Sequence, residues 1–288
     1  MNVAAPQTAP TRWLYRVYVV AFFFFLAAPL FAAATFAFND SLFPALPWNG
    51  FTMDWFLGAE RPKIGMFNDR RIVAGLFNSF LVAVLVSTLS VAVGTCNAFL
   101  FERRDFPLKG LFYLLMITPL VIPGVILGIS ILVFASFLAN GFEAATGIAL
   151  GFLRPGLFLV VLGQFSFLAT ITTLVIAARL RKFDIALEEA ALNLGASRLR
   201  VLLTITLRFL APAMVAAFLV TFIVSFQDFN TTLMLVGSDA PLTITMYDRM
   251  VKVGATPVLN AVSVFLMVGS GLLALVSVLI QREREPAD

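Results

Sequence analysis

Long apolar runs alternate with shorter polar stretches along the whole chain. A helix that crosses a bilayer needs about 20 mostly apolar residues in succession. Six segments reach this length, and each is predicted to be a membrane-spanning helix: residues 17–38, 72–100, 111–138, 156–178, 209–233 and 258–280. The pattern therefore predicts an all-α integral membrane fold with six transmembrane helices. The first run is too long for a signal-peptide core, so we expect it to be retained as the first helix.

The polar stretches predict how the remaining parts are arranged. Residues 1–16 and 281–288 are short tails that flank a six-helix transmembrane domain, residues 17–280. Residues 39–71 are rich in Pro, Trp and Gly, so we expect an ordered loop there rather than a linker. Residues 177–208 form the second long polar segment, which lies between the fourth and fifth predicted helices.

Two prolines, Pro119 and Pro123, lie inside the third predicted helix. Each proline ring removes a backbone donor and clashes with the preceding helical turn. We therefore expect helix kinks at both positions. A flexible wall of a translocation path and an ordinary membrane-helix kink are both open, because proline is common in membrane helices.

The composition argues against several classes of protein. Hydrophobic residues make up 60% of the chain, charged residues make up 12%, and the mean hydropathy is +0.97. Soluble domains carry about 45–50% apolar and about 25% charged residues. No basic cluster indicates nucleic-acid binding. The chain has no His and one Cys, Cys96, so neither a metal centre nor an internal disulfide is expected. We expect Cys96 to be a small buried hydrophobe.

The basic residues predict the orientation in the membrane. If the N-terminus is cytoplasmic, the cytoplasmic segments hold 13 of the 20 Lys and Arg residues. Lys and Arg in short loops favour the cytoplasmic side. We therefore expect both termini and residues 177–208 in the cytoplasm, with residues 39–71 on the outside.

Residues 177–208 carry the signals of two short helices with a sharp corner between them. Asp184 suits the N-cap of the first helix. Gly195 can adopt the left-handed conformation that ends a helix. Ser197 can cap a second helix, Arg198 to Arg208, which leads into the fifth membrane helix.

The first of these short helices is acidic and rich in alanine. Glu188 and Glu189 lie near its positive N-terminal end, where carboxylates are favourable. A helix that rests on lipid head groups prefers Lys and Arg on its polar face. We therefore expect this helix to enter a protein socket, and a solvated loop helix is the alternative.

A spaced motif runs through both short helices. It consists of Glu189, Ala190, Ala191, Gly195, Ile205 and Leu207. This spacing, Glu-Ala-Ala-x-x-x-Gly-x9-Ile-x-Leu, resembles the EAA signature of binding-protein-dependent ABC importer permeases. Arg208 stands where the signature usually has proline, and Pro212 follows it. The resemblance implies the type I permease fold and a place in the bacterial inner membrane.

The resemblance also implies partners and residue roles. In such a permease, a group of residues in this loop would couple the chain to cytoplasmic ATPase subunits: Glu188, Glu189, Ala190, Ala191, Gly195 and Ile205. A second permease subunit in a heterodimer, an extracytoplasmic solute-binding protein and membrane lipid are the other expected partners. The chain lacks a Gly-x-x-x-x-Gly-Lys-Ser/Thr phosphate loop. We therefore expect no enzyme activity and no bound cofactor, with ATP used by the partner ATPase.

Further stretches resemble the spermidine/putrescine-type permease subfamily. They are residues 48–52 followed by Trp55, and residues 241–244, 250–254, 256–257 and 260–261. This resemblance implies a polyamine as the transported solute. An aminophosphonate, an opine and ferric ion remain open as alternatives.

Polar residues near the outer end of the fifth predicted helix are candidates for the substrate pathway. They are Asp228, Gln227 and Asn230. An acid within the membrane indicates function by default, and a carboxylate facing a pathway would attract a cationic amine. A cap on a broken helix is the alternative for Asp228. Three further amides are expected to form interhelical hydrogen bonds: Asn78, Asn97 and Gln164.

Two other functions fit the sequence less well than an ATP-driven importer permease. A stand-alone carrier or channel, driven by an ion gradient, would often show two related halves with interrupted helices. No such repeat is visible, and the acidic loop helix would have no purpose in it. A structural membrane scaffold would leave Asp228 and the prolines without a role. The importer permease is the interpretation that uses all of these features.

Overall fold

The computed structural model describes residues 9–282, and this part of the chain consists of helices joined by loops, with one isolated bridge between Asn39 and Phe51. Twelve α-helices follow in chain order: α1 (Ala9–Ala37), α2 (Asp54–Leu57), α3 (Arg70–Arg103), α4 (Lys109–Val121), α5 (Gly124–Thr146), α6 (Leu157–Leu180), α7 (Ala186–Asn193), α8 (Arg198–Val201), α9 (Leu207–Gln227), α10 (Asn230–Leu235), α11 (Leu242–Val253) and α12 (Pro257–Arg282). A π-helical turn, Leu202–Thr206, joins α8 to α9. Most of the predicted tail at residues 281–288, and the first eight residues of the tail at 1–16, lie outside the described residues.

Five helical stretches are long and apolar enough to cross a membrane. They are α1, α3, α5, α6 and the continuous stretch from α8 through α9. Two shorter apolar helices add to them, α4 and the 257–272 part of α12. These helices confirm the predicted all-α membrane fold. The first helix begins at Ala9, earlier than the predicted residue 17, so part of the expected N-terminal tail is helical.

The third predicted helix, residues 111–138, is two helices rather than one kinked helix. Ile122 is extended, with φ −75° and ψ 128°, and α5 begins after Pro123. The break has a steric cause, because a proline pushes the preceding residue out of the helical region. Pro119 remains inside α4.

The fifth predicted helix, residues 209–233, is also interrupted. Helix α9 ends at Gln227, Asp228 is extended with ψ 122°, and α10 begins at Asn230. This break places a carboxylate between two helix ends, where it can accept hydrogen bonds from backbone N–H groups.

The described chain divides into two compact units. One unit contains the residues up to Asp69 together with Arg249–Gly269. Its loop is organised by the fully buried side chain of Asn39. Asn39 Nδ2 donates to the Ala45 carbonyl at 3.1 Å, and Asn39 Oδ1 accepts from the Asn49 N–H at 2.9 Å. Outside this centre, a hydrogen bond from Lys63 to Asp40 raises the pKa of Lys63.

The other unit contains Arg70–Asp248 and the residues from Ser270 onward. Helices α3 and α6 pack against each other at its centre. The Thr172 hydroxyl on α6 donates to the Ser90 carbonyl on α3 at 2.7 Å. Of the three predicted interhelical amide contacts, Gln164 makes one, since it donates to Thr232 on α10 at 2.8 Å. Asn78 donates instead to the carbonyl of Ala240, in the loop before α11, at 3.5 Å. The contact predicted for Asn97 stays a prediction.

The expectation that Cys96 is buried was wrong, because its side chain is exposed. Gly94 and Ala98 lie one turn apart on α3, and both are buried. Residues four apart share one face of a helix, so residue 96, between them, points away from that face. An apolar helix in a membrane protein can present a small apolar side chain outward.

Candidate functional site

The candidate site begins with helix α7, which is set up by the two residues before it. The Asp184 carboxylate accepts from the N–H of Ala186, the first residue of α7, at 3.0 Å. Asp184 thus satisfies one of the free donors at the helix start, but the N-cap position itself is Ile185 and not the predicted Asp184. The helix itself begins at Ala186 rather than directly after Asp184.

A tight corner ends α7. Gly195 has φ +85°, the left-handed conformation that was predicted for it. The N–H of Gly195 donates to the Leu192 carbonyl at 2.9 Å, and the N–H of Ala196 donates to the Ala191 carbonyl at 3.1 Å. These two bonds form the Schellman arrangement, which turns the chain and satisfies the last carbonyls of the helix.

The second short helix starts after Ser197, whose side chain accepts from the Arg200 N–H at 3.4 Å. The predicted cap is therefore present. The helix then passes through a π-helical turn that ends at the fully buried Thr206. No pattern in the sequence predicted this turn, because a π-helical turn uses the same apolar residues as an α-helix.

Glu188 is turned toward the rest of the chain, whereas Glu189 is exposed. The Arg103 guanidinium at the end of α3 donates two hydrogen bonds to the Glu188 carboxylate, each at 3.3 Å. The Thr206 hydroxyl donates a third at 2.6 Å. The Arg103 and Glu188 side chains are 20% and 24% exposed. The sequence did not distinguish these two acids, because spacing shows which residues share a helix face but not which face meets a neighbour.

Arg103 and Thr206 are functional candidates that sequence reasoning missed. Arg103 entered only as a positive charge for the orientation of the chain, and Thr206 lay within a predicted helix. The available signal was a positive charge, Arg103, directly after the second apolar run, together with an acidic helix in residues 177–208. A contact 85 residues away along the chain requires the fold to be known.

An aromatic cluster supports the base of the same segment. The Phe183 and Phe209 rings lie 5.1 Å apart in a T-shaped pair. Arg103 lies over the Phe183 ring at 5.4 Å, and Arg179 lies over the Phe209 ring at 4.2 Å. Cation–π contacts of this kind are each worth about 0.5–2 kcal/mol. The cluster ties the ends of α3, α6 and α9 together beneath α7.

The remaining motif residues of α7 divide into an outer and an inner group. Glu189 and Ala190 are exposed, and Ala191 is half-buried. Two apolar side chains next to them are open to the surroundings, Leu187 at 53% and Leu194 at 89% exposure. Ile205 instead packs against the buried cluster formed by the ends of α3, α6 and α9. The outward surface of α7 is thus mixed acidic and apolar.

A cleft of about 770 Å³ lies beside α7. The end of α3, helices α7 and α8 and the π-helical turn line it, and the Arg103–Glu188 pair forms part of its wall. Arg104 and Arg198 also reach this cleft. The ion pair therefore lies at a place where α3 and α7 are otherwise not closely packed.

A second polar group of residues surrounds Asp228. Its carboxylate accepts from the Thr232 N–H at 3.0 Å and from the Thr232 hydroxyl at 2.9 Å. Gln164, buried on α6, donates to the same hydroxyl at 2.8 Å and accepts from Ser225 on α9. The Thr243 hydroxyl donates to the Asp228 carbonyl at 3.1 Å. Asp228 is therefore half-buried and caps α10.

Gln227 and Asn230, the other two pathway candidates, are both exposed. The structure does not bring them into the network of Asp228. Gln164 takes that place, although it was predicted only as an interhelical hydrogen bond. Gln164 lies on α6, and nothing in the sequence indicated that α6 packs against the broken end of α9.

The comparisons with known proteins agree on one family. Residues 89–285 match the family described as binding-protein-dependent transport system inner membrane component. The spermidine/putrescine transport system permease protein PotC of Haemophilus influenzae is 28% identical over 94% of this chain and 97% of its own length. The putrescine transport system permease protein PotI of Escherichia coli is 27% identical over 88% of this chain and 86% of its own.

A solved structure shows the same fold. The chain matches a subunit of a bacterial ABC transporter involved in the import of the acidic polysaccharide alginate, with a TM-score of 0.73 at 18% identity. The match covers 95% of this chain and 96% of that subunit. Because the family match extends over residues 89–285, this chain belongs to the binding-protein-dependent transport system inner membrane components, the permeases of type I ABC importers.

Proposed function

We propose that this chain is the permease subunit of a polyamine importer, and that α7 with its Gly195 corner couples it to a separate ATPase. The observation that supports the coupling role is the outward surface of α7. Glu189, Ala190 and Leu194 are exposed on a helix whose other side is held by Arg103. Exposed apolar side chains beside charged ones are typical of a surface that receives a partner.

The polyamine assignment is supported by the relatives and by one carboxylate. PotC and PotI are named for spermidine and putrescine transport, and they match nearly the whole chain. A polyamine is a flexible cation with several ammonium groups. Asp228 lies at the break between α9 and α10, where a negative charge would attract such a cation.

The proposal includes the other parts of the importer. Both termini and the 177–208 segment would face the cytoplasm, where the ATPase binds and hydrolyses ATP. A second permease would complete the pathway, and a solute-binding protein would deliver the polyamine to the outer face. The chain itself would bind no ATP.

Reconstitution of the complex tests both parts of this proposal. Proteoliposomes with the two permeases, the ATPase and the solute-binding protein should take up labelled putrescine or spermidine when ATP is inside. An aminophosphonate, an opine and ferric ion serve as competing solutes, and uptake of one of these alone would overturn the polyamine assignment.

The coupling surface is tested by Ala190→Trp. The larger side chain should clash with a close-packed socket, release the ATPase in detergent and abolish uptake. Ala144→Trp, at an exposed alanine on α5, is the matched control and should retain the ATPase. An Ala190→Trp complex with normal uptake and a stable ATPase would show that the coupling surface lies elsewhere.

A further inference from the structure

We infer that Glu188 is a positioning residue that fastens α7 to α3 and to the start of α9, and that it does not bind the ATPase directly. This inference rests on the proposed coupling role of α7. It assigns different roles to two neighbouring acids, Glu188 and Glu189, which the sequence alone does not distinguish.

One carboxylate joins three elements. Oε1 and Oε2 of Glu188 each accept from the Arg103 guanidinium at 3.3 Å, and Oε1 also accepts from Thr206 at 2.6 Å. Arg103 is the last residue of α3, and Thr206 is the last residue of the π-helical turn before α9. A displacement of α7 therefore pulls on both long helices through a single side chain.

The surroundings make this contact effective. Charged pairs on an open surface contribute little because solvent screens them, but this pair is mostly shielded, at 20% and 24% exposure. Thr206 is fully buried, so its hydroxyl has no access to water as an alternative partner. Apart from this contact, the side of α7 that faces α3 borders the 770 Å³ cleft and not closely packed side chains.

The neighbouring acid, Glu189, is not held by the rest of the chain. Glu189 is exposed, and within residues 9–282 its carboxylate takes part in no ion pair. Glu189 is thus available to a partner, while Glu188 is engaged inside the chain. Loss of Glu188 should leave the docking surface in place and disconnect it from α3 and α9.

The first test uses the full permease alone in detergent, without an ATPase. Hydrogen exchange of the backbone amides in residues 186–206 reports how firmly α7 is held. Glu188→Gln and Arg103→Gln should each accelerate this exchange by roughly tenfold, since each variant removes a charge-assisted hydrogen bond that holds α7. The double variant should show little more than either single one, because both remove the same contact. Unchanged exchange in both single variants would overturn the inference.

The second test uses the reconstituted importer and measures solute transported per ATP hydrolysed. Glu188→Gln should keep the ATPase bound but lower this ratio by roughly fivefold or more, a typical size for coupling between sites. Glu189→Gln provides the contrast, because Glu189 belongs to the proposed docking surface, and it should weaken ATPase retention. A Glu188→Gln permease that sheds its ATPase as readily as Glu189→Gln would contradict the assignment.

Thr206→Val keeps the inference testable if the charged variants fail to fold. It removes one hydroxyl and preserves the shape of the side chain, and it should also lower the transport ratio. If the wild-type chain retains no ATPase at all, the proposed function is wrong. The exchange measurement on the permease alone then still decides whether Glu188 fastens α7.

Discussion

Gly94 on α3 lies so close to Thr172 on α6 that a Cβ at residue 94 would come within 2.3 Å of the Thr172 hydroxyl oxygen. The same hydroxyl donates to the Ser90 carbonyl at 2.7 Å, which fixes its position between the two helices. A small residue at 94 therefore allows the two central helices of this unit to approach, as small residues do at helix interfaces in membranes.

Gly94→Ala should destabilise the permease by about 1–3 kcal/mol, because the added methyl group must displace a hydroxyl that is already hydrogen-bonded. The expected result is a lower Tm of the purified permease in detergent. Gly141→Ala on α5 is the matched control, since a Cβ there meets no atom within 4 Å. An alanine at residue 94 with the Tm of the wild type would show that α3 can shift away from α6.

The apolar runs and the local backbone signals could be predicted from the sequence. Both depend on nearby residues, since about 20 apolar residues define a spanning helix and a glycine defines a corner. Gly195 and Ser197 accordingly take their predicted conformations. The break at Pro123 was predicted only as a kink. Whether a proline bends or interrupts a helix depends on what satisfies the freed backbone groups.

Contacts between distant segments could not be predicted in the same way. Glu188 and Arg103 are 85 residues apart, and Gln164 and Thr232 are 68 apart. Taken alone, Glu188 is an ordinary acid at a helix start, Arg103 an ordinary cation at a helix end, and Gln164 an ordinary amide within a helix. Only the packing of α3, α6 and α9 shows which of them meet, and the same packing turns Cys96 outward.

The orientation predicted from the basic residues leads to a labelling experiment. In a Cys96→Ala background, Ala45→Cys should react with a membrane-impermeant maleimide on intact cells, because Ala45 is exposed on the segment expected outside. Asp105→Cys is the opposite control. Its fully exposed side chain, near the end of α3, should react only after permeabilisation. The reverse pattern would place both termini outside the cytoplasm.

The corner at Gly195 should require a residue that tolerates the left-handed backbone. A Cβ at this glycine has no atom within 4 Å, so a substitution meets no steric clash with neighbours. The expected cost is therefore only that of the left-handed backbone conformation, about 1–2 kcal/mol for a residue that disfavours it. Gly195→Val should lose ATP-driven uptake while the permease still accumulates in the membrane.

Gly195→Asn is the matched control, because asparagine tolerates the left-handed region better than other non-glycine residues. It should retain most of the uptake. If both variants transport at the wild-type rate, the corner does not set the direction of α7. Equal loss in both would instead indicate that the partner occupies the space beside residue 195.

The carboxylate of Asp228 has two possible roles, and two substitutions separate them. It caps α10 through Thr232, with hydrogen bonds of 3.0 and 2.9 Å, and it carries a charge near the break between two helices. Asp228→Asn removes the charge but keeps an acceptor oxygen for the cap. Thr232→Val removes one partner of the cap and leaves the carboxylate in place.

If the charge attracts the polyamine, Asp228→Asn should lower uptake by roughly tenfold or more, the equivalent of at least 1.4 kcal/mol, with the complex still assembled. Thr232→Val should then lower the Tm of the permease but leave most of the uptake intact. The cause of the lower Tm is the loss of the Thr232 hydroxyl, which both Gln164 and the start of α10 use. Labelled spermidine uptake and the Tm of each purified complex are the two measurements. Full uptake by Asp228→Asn, together with a loss of uptake in Thr232→Val, would assign Asp228 to the helix cap and remove it from the substrate pathway.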